Sequence, residues 1–318
     1  FRRVLFRSQG AADINLYKAF LEQAHALLRP EGRLGFIVPS GLYSDHGTGG
    51  LRRLFLDHCR WEWLFGFENR DGIFEIHRSF KFNPVIIQKG GTTAAIRTAF
   101  MRRKLEDWEN AEALATPYSR AQVTRFSPRS LAILEIQSRR DLEILEKIYT
   151  NSVLLGDDGP GGWGIEYGRE LEMTSDSRLF PPLDRWITEG YSQFVYGNWV
   201  DTRGHVAVPL YEGRMIGQFD CCAARWVSGK GRAAEWEDLP LDRKDFGPQF
   251  LMAKDDVLSS NQIRRVTKFA LMRVSSSTNK RTVIATVIPD FPAQHSLFTG
   301  TVHNLHETGV LAVTGFLN

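Results

Sequence analysis

The chain has 318 residues, 42% of them hydrophobic and 24% charged, which excludes disordered and fibrous classes and gives enough length for two ordinary domains. Forty Lys and Arg against thirty-seven Asp and Glu leave a formal charge of +3. That excess is too small to attract an anionic partner in bulk, so such a partner must be met by local patches. Three cysteines, Cys59, Cys221 and Cys222, are odd in number with two adjacent, which fits neither a disulfide framework nor a zinc site. No apolar run approaches the roughly 20 residues that span a bilayer, and the N-terminus lacks the apolar centre of a signal peptide. The expectation is a cytoplasmic protein with no membrane partner and no metal.

The opening FRRVLFRS has no helical or strand period and resembles the reading-frame translation of a sequencing-library adapter. Residues 1–8 are therefore set apart as an artefact, with an open reading frame cut off at its start. The closing GVLAVTGFLN begins a helix or strand and stops without a polar tail, so truncation there is expected too.

From Asp13 as N-cap, the spacing of Tyr17, Phe20, Leu21, Ala24, Leu27 and Leu28 predicts an amphipathic helix ending at Pro30 and Gly32. The apolar run within Arg33 to Val38, stopped by Pro39, reads as a strand buried on both faces of a parallel sheet. A polar, glycine-rich stretch over 40–50 leads to a second helix with Leu51, Leu54 and Phe55 on one face and Thr48 near its cap. Trp61 to Phe67, Phe80 to Gln88 and AAIRTAFM read as further strands. Residues 111–150 look like a connector, with a strand-like QVTRF and a helix around DLEILEKIYT. After the loop GDDGPGG come short aromatic strands, WGIEY, YGNWV, HVAVPLY, RMIGQFD, FALMRV and TVIATVI, which predict an α+β, mostly antiparallel second half.

By pattern alone, LYKAFLEQAHALLRPEGRLGFIVPSGLY is a βαβ crossover found in many nucleotide or metabolite enzymes. As a string, it closely resembles the helix and fifth strand after the catalytic loop of adenine-specific, S-adenosylmethionine-dependent DNA methyltransferases, especially the fused type IIG restriction-modification enzymes. WLFGFENRDGIFEIHRSFKFNPVIIQKGG is similar to the late strands of the same domain, where a Phe packs on the adenine rotated out of the duplex. Phe74 matches that position best, with Phe80 and Phe82 as alternatives; strand core is the competing reading for all three, and more so for Phe80 and Phe82. Arg78 and Lys81 alternate with these rings, an arrangement that suits phosphate contact or simply a solvated hairpin edge. Asn83-Pro84 is followed by Val85 and Ile86 in a strand, so Asn83 reads as structural rather than as part of the family's Asn-Pro-Pro-Tyr loop.

In the second half, WGIEYGRELEMTSDSRLF, VPLYEGRMIGQFD and SSSTNKRTVIATVIP resemble the target-recognition region of type IIG enzymes. Read from the residues alone, basic side chains cluster there: Arg264, Arg265, Lys268, Arg273, Lys280 and Arg281 suit phosphate positioning, and Asn279 or Gln262 suit adenine edges in the major groove. Ser275 to Thr278 present hydroxyls for a backbone contact or a solvated turn. His303 and His306 are too isolated for a metal or nucleophile site, and Gly159 to Gly162 lacks the context of a phosphate loop.

The resemblance implies a fold class of α/β: the C-terminal part of a Rossmann-like methyltransferase sheet over 9–110, a connector over 111–150, and an α+β target-recognition domain over 151–318. It further implies double-stranded DNA as partner and S-adenosylmethionine as methyl donor in the parent enzyme. The cofactor's glycine loop, the Asn-Pro-Pro-Tyr loop and any nuclease site are absent from these residues. The expectation is therefore a fragment inactive alone, missing the N-terminal half of the same polypeptide. Two rival readings are a stand-alone DNA-binding specificity subunit and a small-molecule enzyme on a Rossmann-like sheet.

Overall fold

The computed structural model describes residues 8, 15–157, 159, 162–275, 279, 282–302 and 307–317. The fold is mixed α/β, and the chain divides into two compact units, Phe1–Ser152 and Val153–Asn318. Among the described residues no helix is long and apolar enough to cross a membrane.

Unit 1 begins with α1 (Leu16–Leu27), whose N-cap is Asn15, its side chain accepting from the Tyr17 amide. Asp13 lies outside the described residues. Of the apolar stripe, Leu21 is buried while Phe20 and Leu27 are exposed, so the helix covers the sheet with a narrow face. Next come β1 (Arg33–Pro39), α2 (Gly49–His58), β2 (Cys59–Glu68), β3 (Lys81–Lys89), β4 (Ala95–Arg102), β5 (Thr116–Ser119), α3 (Arg120–Phe126) and α4 (Arg139–Thr150). The five strands form one sheet in the order β1-β3-β2-β4-β5, in which β2 and β4 are parallel and the other pairs antiparallel.

β1 corrects the first strand expectation. Among the described residues it pairs with β3 alone, antiparallel, and buries only Leu34 and Val38, while Phe36 and Ile37 are exposed. The continuous apolar run thus lies, among the described residues, at the edge of the sheet and is half exposed, not buried on both faces. QVTRF is also corrected. It lies in α3, because Ser119 and Gln122 form a capping box, the Ser119 side chain accepting from the Gln122 amide while the Gln122 side chain accepts from the Ser119 amide. Residues 111–150 add to unit 1 rather than merely linking: Leu131, Ile133, Ile136 and Leu142 join its main core.

A bulge between Trp61 and Trp63 divides the side chains of β2 between the two faces. Trp61 and Leu64 face the helices, packed with Phe55, Ile87 and Tyr118. Trp63, Phe65 and Phe67 join Phe82 and Ala99 in a smaller cluster. The stretch from Ser40 to Gly50 is pinned by the buried Arg52, which donates to the carbonyls of Leu42, Asp45 and Ser130 and to Thr48 Oγ1. Burial lowers its pKa to about 10, still charged at neutral pH.

Unit 2 contains β6 (Ile165–Gly168), α5 (Leu183–Thr188), β7 (Ser192–Gln193), β8 (Trp199–Val200), β9 (Val206–Pro209), β10 (Ala224–Ser228), β11 (Glu235–Asp238), β12 (Leu251–Ala253), α6 (Lys254–Ser259), β13 (Lys268–Met272), β14 (Ala285–Ile288), β15 (Leu297–Val302) and α7 (Glu307–Leu317). The strands make two four-stranded sheets, β12-β9-β8-β7 and β14-β13-β15-β6, and a hairpin of β10 with β11, with antiparallel pairing between all named strands. RMIGQFD, expected as a strand, instead turns at Gly213–Met215: Met215 and Ile216 are both buried, which a strand alternating between two faces cannot achieve against a single core.

Candidate functional site

The open face of the unit 1 sheet holds a groove of about 370 Å³ walled by Phe36, Ile37, Phe67, Phe74, Phe82 and Trp108, among others. Its floor is opened by Gly35 on β1, where an added Cβ would meet nothing within 4 Å. Among the described residues no titratable side chain lines it. The groove is therefore suited to an apolar or aromatic face rather than to proton transfer.

Phe74 reaches the groove on the loop joining β2 to β3. Asn69, fully buried, fixes that loop: its amide nitrogen donates to the carbonyls of Phe74 (3.0 Å) and Ile76 (3.1 Å), and its side-chain oxygen accepts from the Phe74 amide at 2.9 Å. Gly72 supplies the left-handed turn, at φ 76°. Phe74 is 40% exposed and meets Phe82 edge-on, with centroids 4.7 Å apart. Phe82, 7% exposed, stacks on Phe67 at 5.1 Å and 11°. Phe74 therefore presents a ring to the groove while Phe82 backs it from the core. Phe80, 57% exposed, packs edge-on to His77 and does not line the groove.

Around this loop, Arg78 is exposed and donates to the Arg70 carbonyl. Lys81 is bound to Glu135 at 2.5 Å, and Glu135 also accepts from the Tyr43 hydroxyl at 2.6 Å. Burial and this bond push the Tyr43 pKa well up, so it stays protonated. Asn83 is buried, its amide donating to the Val38 carbonyl across the β1–β3 pair.

In unit 2 the basic cluster separates by depth. Lys268 is fully buried: its ammonium lies 2.7 Å from Glu170 Oε1 and also donates to the Arg264 carbonyl. Glu170 accepts in addition from the amides of Arg264 and Ala293 and from the Thr299 hydroxyl. An ammonium held on a buried carboxylate has no face to offer a phosphate, so the expected DNA contact at Lys268 is corrected to an internal ion pair. The Arg264 side chain is mostly covered, bonded to Thr299 at 3.4 Å and 3.9 Å from Glu166. Arg265 is exposed and bonded to the Leu258 carbonyl, and Asn279 and Gln262 are exposed. Lys280 and Arg281, with Ser276 to Thr278 and His303 and His306, lie outside the described residues.

Sequence reasoning missed Asn69 and Trp108. Both stand beside turn or acidic segments whose polarity drew attention from their contacts, although Asn69 ahead of Asp71-Gly72 was a legible turn signal.

Residues 5–74 match the Eco57I restriction-modification methylase family model. That span includes α1, β1, α2 and β2 and ends at Phe74. Among curated proteins no sequence matches the chain. Solved structures with similarity to it include the type IIG restriction endonuclease BpuSI, at 12% identity over 98% of this chain and 39% of that one with a TM-score of 0.35. The ATP-dependent Type ISP restriction-modification enzyme LlaBIII, solved bound to DNA, matches at 13% identity over 59% of this chain and 14% of that one, TM-score 0.37. The M protein of the type I restriction enzyme EcoKI matches at 18% identity over 39% and 27%, TM-score 0.26. The chain thus spans well under half the length of each, and likeness this distant assigns no role to any residue here.

The side chains lining the unit 1 groove carry one polar group, the Trp108 indole, and no carboxylate for a ribose. They do not fit S-adenosylmethionine, whose hydroxyls and charged amino-acid end need polar partners.

Proposed function

We propose that this chain is the later part of an adenine-specific DNA methyltransferase of the type IIG kind, working in a restriction-modification or phage-defence system. Unit 1 supplies the last strands of the catalytic sheet, with Phe74 as the ring on which the extruded adenine stacks. Phe82 supports that ring from beneath, and Arg78 lies nearby for phosphate contact. Unit 2 is the target-recognition region, where Arg265, Asn279, Lys280 and Arg281 meet duplex DNA. The methyl donor, S-adenosylmethionine, is held by residues outside this chain, and the chain alone does not methylate.

The observation that carries this reading is the family match over residues 5–74, which ends at a ring exposed on an aromatic groove. A base leaving the duplex loses stacking, and an aromatic face in an apolar groove replaces it. The free edge of β1 among the described residues, with Phe36 and Ile37 exposed beside it, supports a further part of the sheet packing there.

The test is transfer of labelled methyl from S-adenosylmethionine to duplex DNA, by the purified chain and by the chain joined to the polypeptide encoded upstream of it. Transfer only by the joined protein is expected. Transfer by the chain alone overturns the fragment reading, and none by the joined protein overturns the methyltransferase reading.

A further inference from the structure

The turn from Gly217 to Ala223 in unit 2 carries two nucleophiles for which the proposed methyl transfer has no use. Cys221 and Cys222 are free thiols, half-buried and buried respectively, with their sulfurs in contact at 3.8 Å. Adjacency in sequence does not by itself give that contact, since neighbouring side chains of an extended chain point to opposite faces. The turn gives it. The Gly217 amide donates to the Asp220 carbonyl and the Ala223 amide to the Met215 carbonyl, each at 2.8 Å, while the Asp220 carboxylate accepts from the Cys222 amide at 3.0 Å. Lys244 fastens the turn, donating to the other Asp220 oxygen at 2.6 Å and to the Cys222 carbonyl at 3.2 Å.

The two thiols are not equivalent. The Cys222 thiol donating to the Cys221 sulfur holds Cys221 below its usual pKa, while that bond and burial push Cys222 up. The Asp220 charge opposes a thiolate at either position, and its ion pair with Lys244 offsets that opposition. Cys221 is thus the accessible member with more thiolate character, and Cys222 the protonated member behind it. Cys59 differs in both respects, fully buried and with its pKa raised by burial. Among the described residues no cluster of three or more His, Cys, Asp and Glu side chains forms a metal site, so the pair is left to its own thiol chemistry.

We propose that Cys221 and Cys222 form a reversible oxidation site for hydroperoxides, with Cys221 as the attacking sulfur and Cys222 as the resolving one. A low-pKa, accessible thiol beside a resolving partner is the arrangement that such chemistry requires. The Cys221 thiolate, its proton released to solvent, attacks one oxygen of hydrogen peroxide; an S–O bond forms, the O–O bond breaks, and the hydroxide that leaves takes up a proton as water. The product is a sulfenic acid. The Cys222 sulfur then attacks Cys221, the S–O bond breaks, and the leaving hydroxide departs as water with the Cys222 proton. In sum the two thiols are oxidised to a disulfide and the peroxide is reduced to water. The sulfurs must close from 3.8 Å to about 2.05 Å. Adjacent Cα atoms across a trans peptide are about 3.8 Å apart, short of the roughly 4.4–6.8 Å usual for a disulfide, so the bond is strained and easily reduced. Such a bond suits a switch that cellular thiols reset by exchange, not a structural staple.

The experiment treats the full, reduced chain with hydrogen peroxide, blocks the remaining thiols after denaturation and maps the peptides by mass. The expected result is loss of one hydrogen from each thiol in the peptide holding Cys221 and Cys222, reversed by dithiothreitol, with Cys59 still a thiol. Cys222→Ser should stop the reaction at a sulfenic acid on Cys221, trapped by dimedone. Cys221→Ser should slow oxidation of the remaining thiol of the turn by about tenfold or more. The same treatment of the wild-type chain in denaturant needs no variant to fold, and there the pair should oxidise at least about tenfold more slowly, because the turn no longer holds the sulfurs together. A pair that stays reduced, a wild-type product that runs on to sulfinic acid without a disulfide, Cys59 oxidised ahead of the pair, or an equal rate in denaturant each overturns the proposal. The outcome is independent of the methyltransferase reading, which the labelled transfer decides.

Discussion

The groove of unit 1 and a cavity of about 350 Å³ in unit 2 are nearly equal in volume, yet the described lining of one is rings and aliphatic chains with no titratable group, while the other is lined by the Glu212 carboxyl, the Arg214 guanidinium, the His295 imidazole and the amides of Gln249 and Gln294. The same division runs through their buried cations. Arg52 in unit 1 is satisfied entirely by neutral oxygens, whereas Lys268 in unit 2 is satisfied chiefly by the carboxylate of Glu170. The described lining of the unit 1 groove thus carries no group that titrates, whereas the cavity of unit 2 is lined by groups whose protonation matters.

The largest expected effect probes the buried pair. Lys268→Met leaves the Glu170 carboxylate buried without its counter-charge and should destabilise unit 2 by about 3–5 kcal/mol. Adding Glu170→Gln, which removes the stranded charge and keeps one oxygen for the Arg264 amide and the Thr299 hydroxyl while giving up the acceptor of the Ala293 amide, should restore part of that loss. Denaturant unfolding of both variants checks this, and equal loss in the single and double variants would show that the pair matters through packing and not through charge.

The next effect separates the units by pH. Burial raises the Glu212 pKa from 4.5 to about 7. Between those values the folded chain holds a proton that the unfolded chain has released, so the contribution of this group is greatest below pH 4.5 and is lost as pH rises to about 7, by on the order of 3 kcal/mol in all. Glu212→Gln should flatten that slope and leave unit 2 more stable than the wild type at pH 8. Unfolding curves at pH 5.5 and 8 suffice, and an unchanged slope would place the titrating group elsewhere.

How far the sequence revealed this contrast can be followed residue by residue. The helix over α1, strands β2, β3 and β4, and the antiparallel habit of the second half were visible because apolar spacing and turn residues are local signals. The edge position of β1 was not, since a run such as LGFIV is equally apolar at an edge or in the middle, and pairing is decided by distant chain. QVTRF looked like a strand because its β-branched residues outweighed the Ser119 and Gln122 cap that was there to be read. Phe74 and Phe82 were both legible as aromatics near the site, but only the loop bonds of Asn69 distinguish the exposed ring from the one behind it. Lys268 looked like its neighbours in a basic cluster. Its partner Glu170 is 98 residues away, beyond any local pattern.

A smaller effect tests the division of labour between the two rings. If Phe74 stacks on an extruded base as proposed, Phe74→Ala in the chain joined to its upstream polypeptide should cost roughly 1–3 kcal/mol of base-stacking energy, read as weaker binding to duplex DNA. Its effect on unfolding should be minor, because the ring is partly exposed already. Phe82→Ala should do the reverse and cost mainly stability, since its ring is stacked on Phe67 and buried. If Phe74→Ala instead unfolds unit 1, the ring belongs to the core and the groove has no stacking platform.

The smallest expected effect concerns exposed charge. Arg78 and Arg265 each donate to a single backbone carbonyl, which leaves most of the guanidinium in solvent. If each meets one phosphate, replacement by Ala should lower the slope of log affinity against log salt by about 0.9 and weaken all duplex sequences alike. Lys268, although it belongs to the same run of basic residues as Arg265, should leave that slope unchanged in any variant that folds, because a buried cation releases no counterion from DNA. A slope that falls for a folded Lys268 variant and not for Arg265 would mean that unit 2 opens to meet its partner, and the buried pair would then be part of the binding surface.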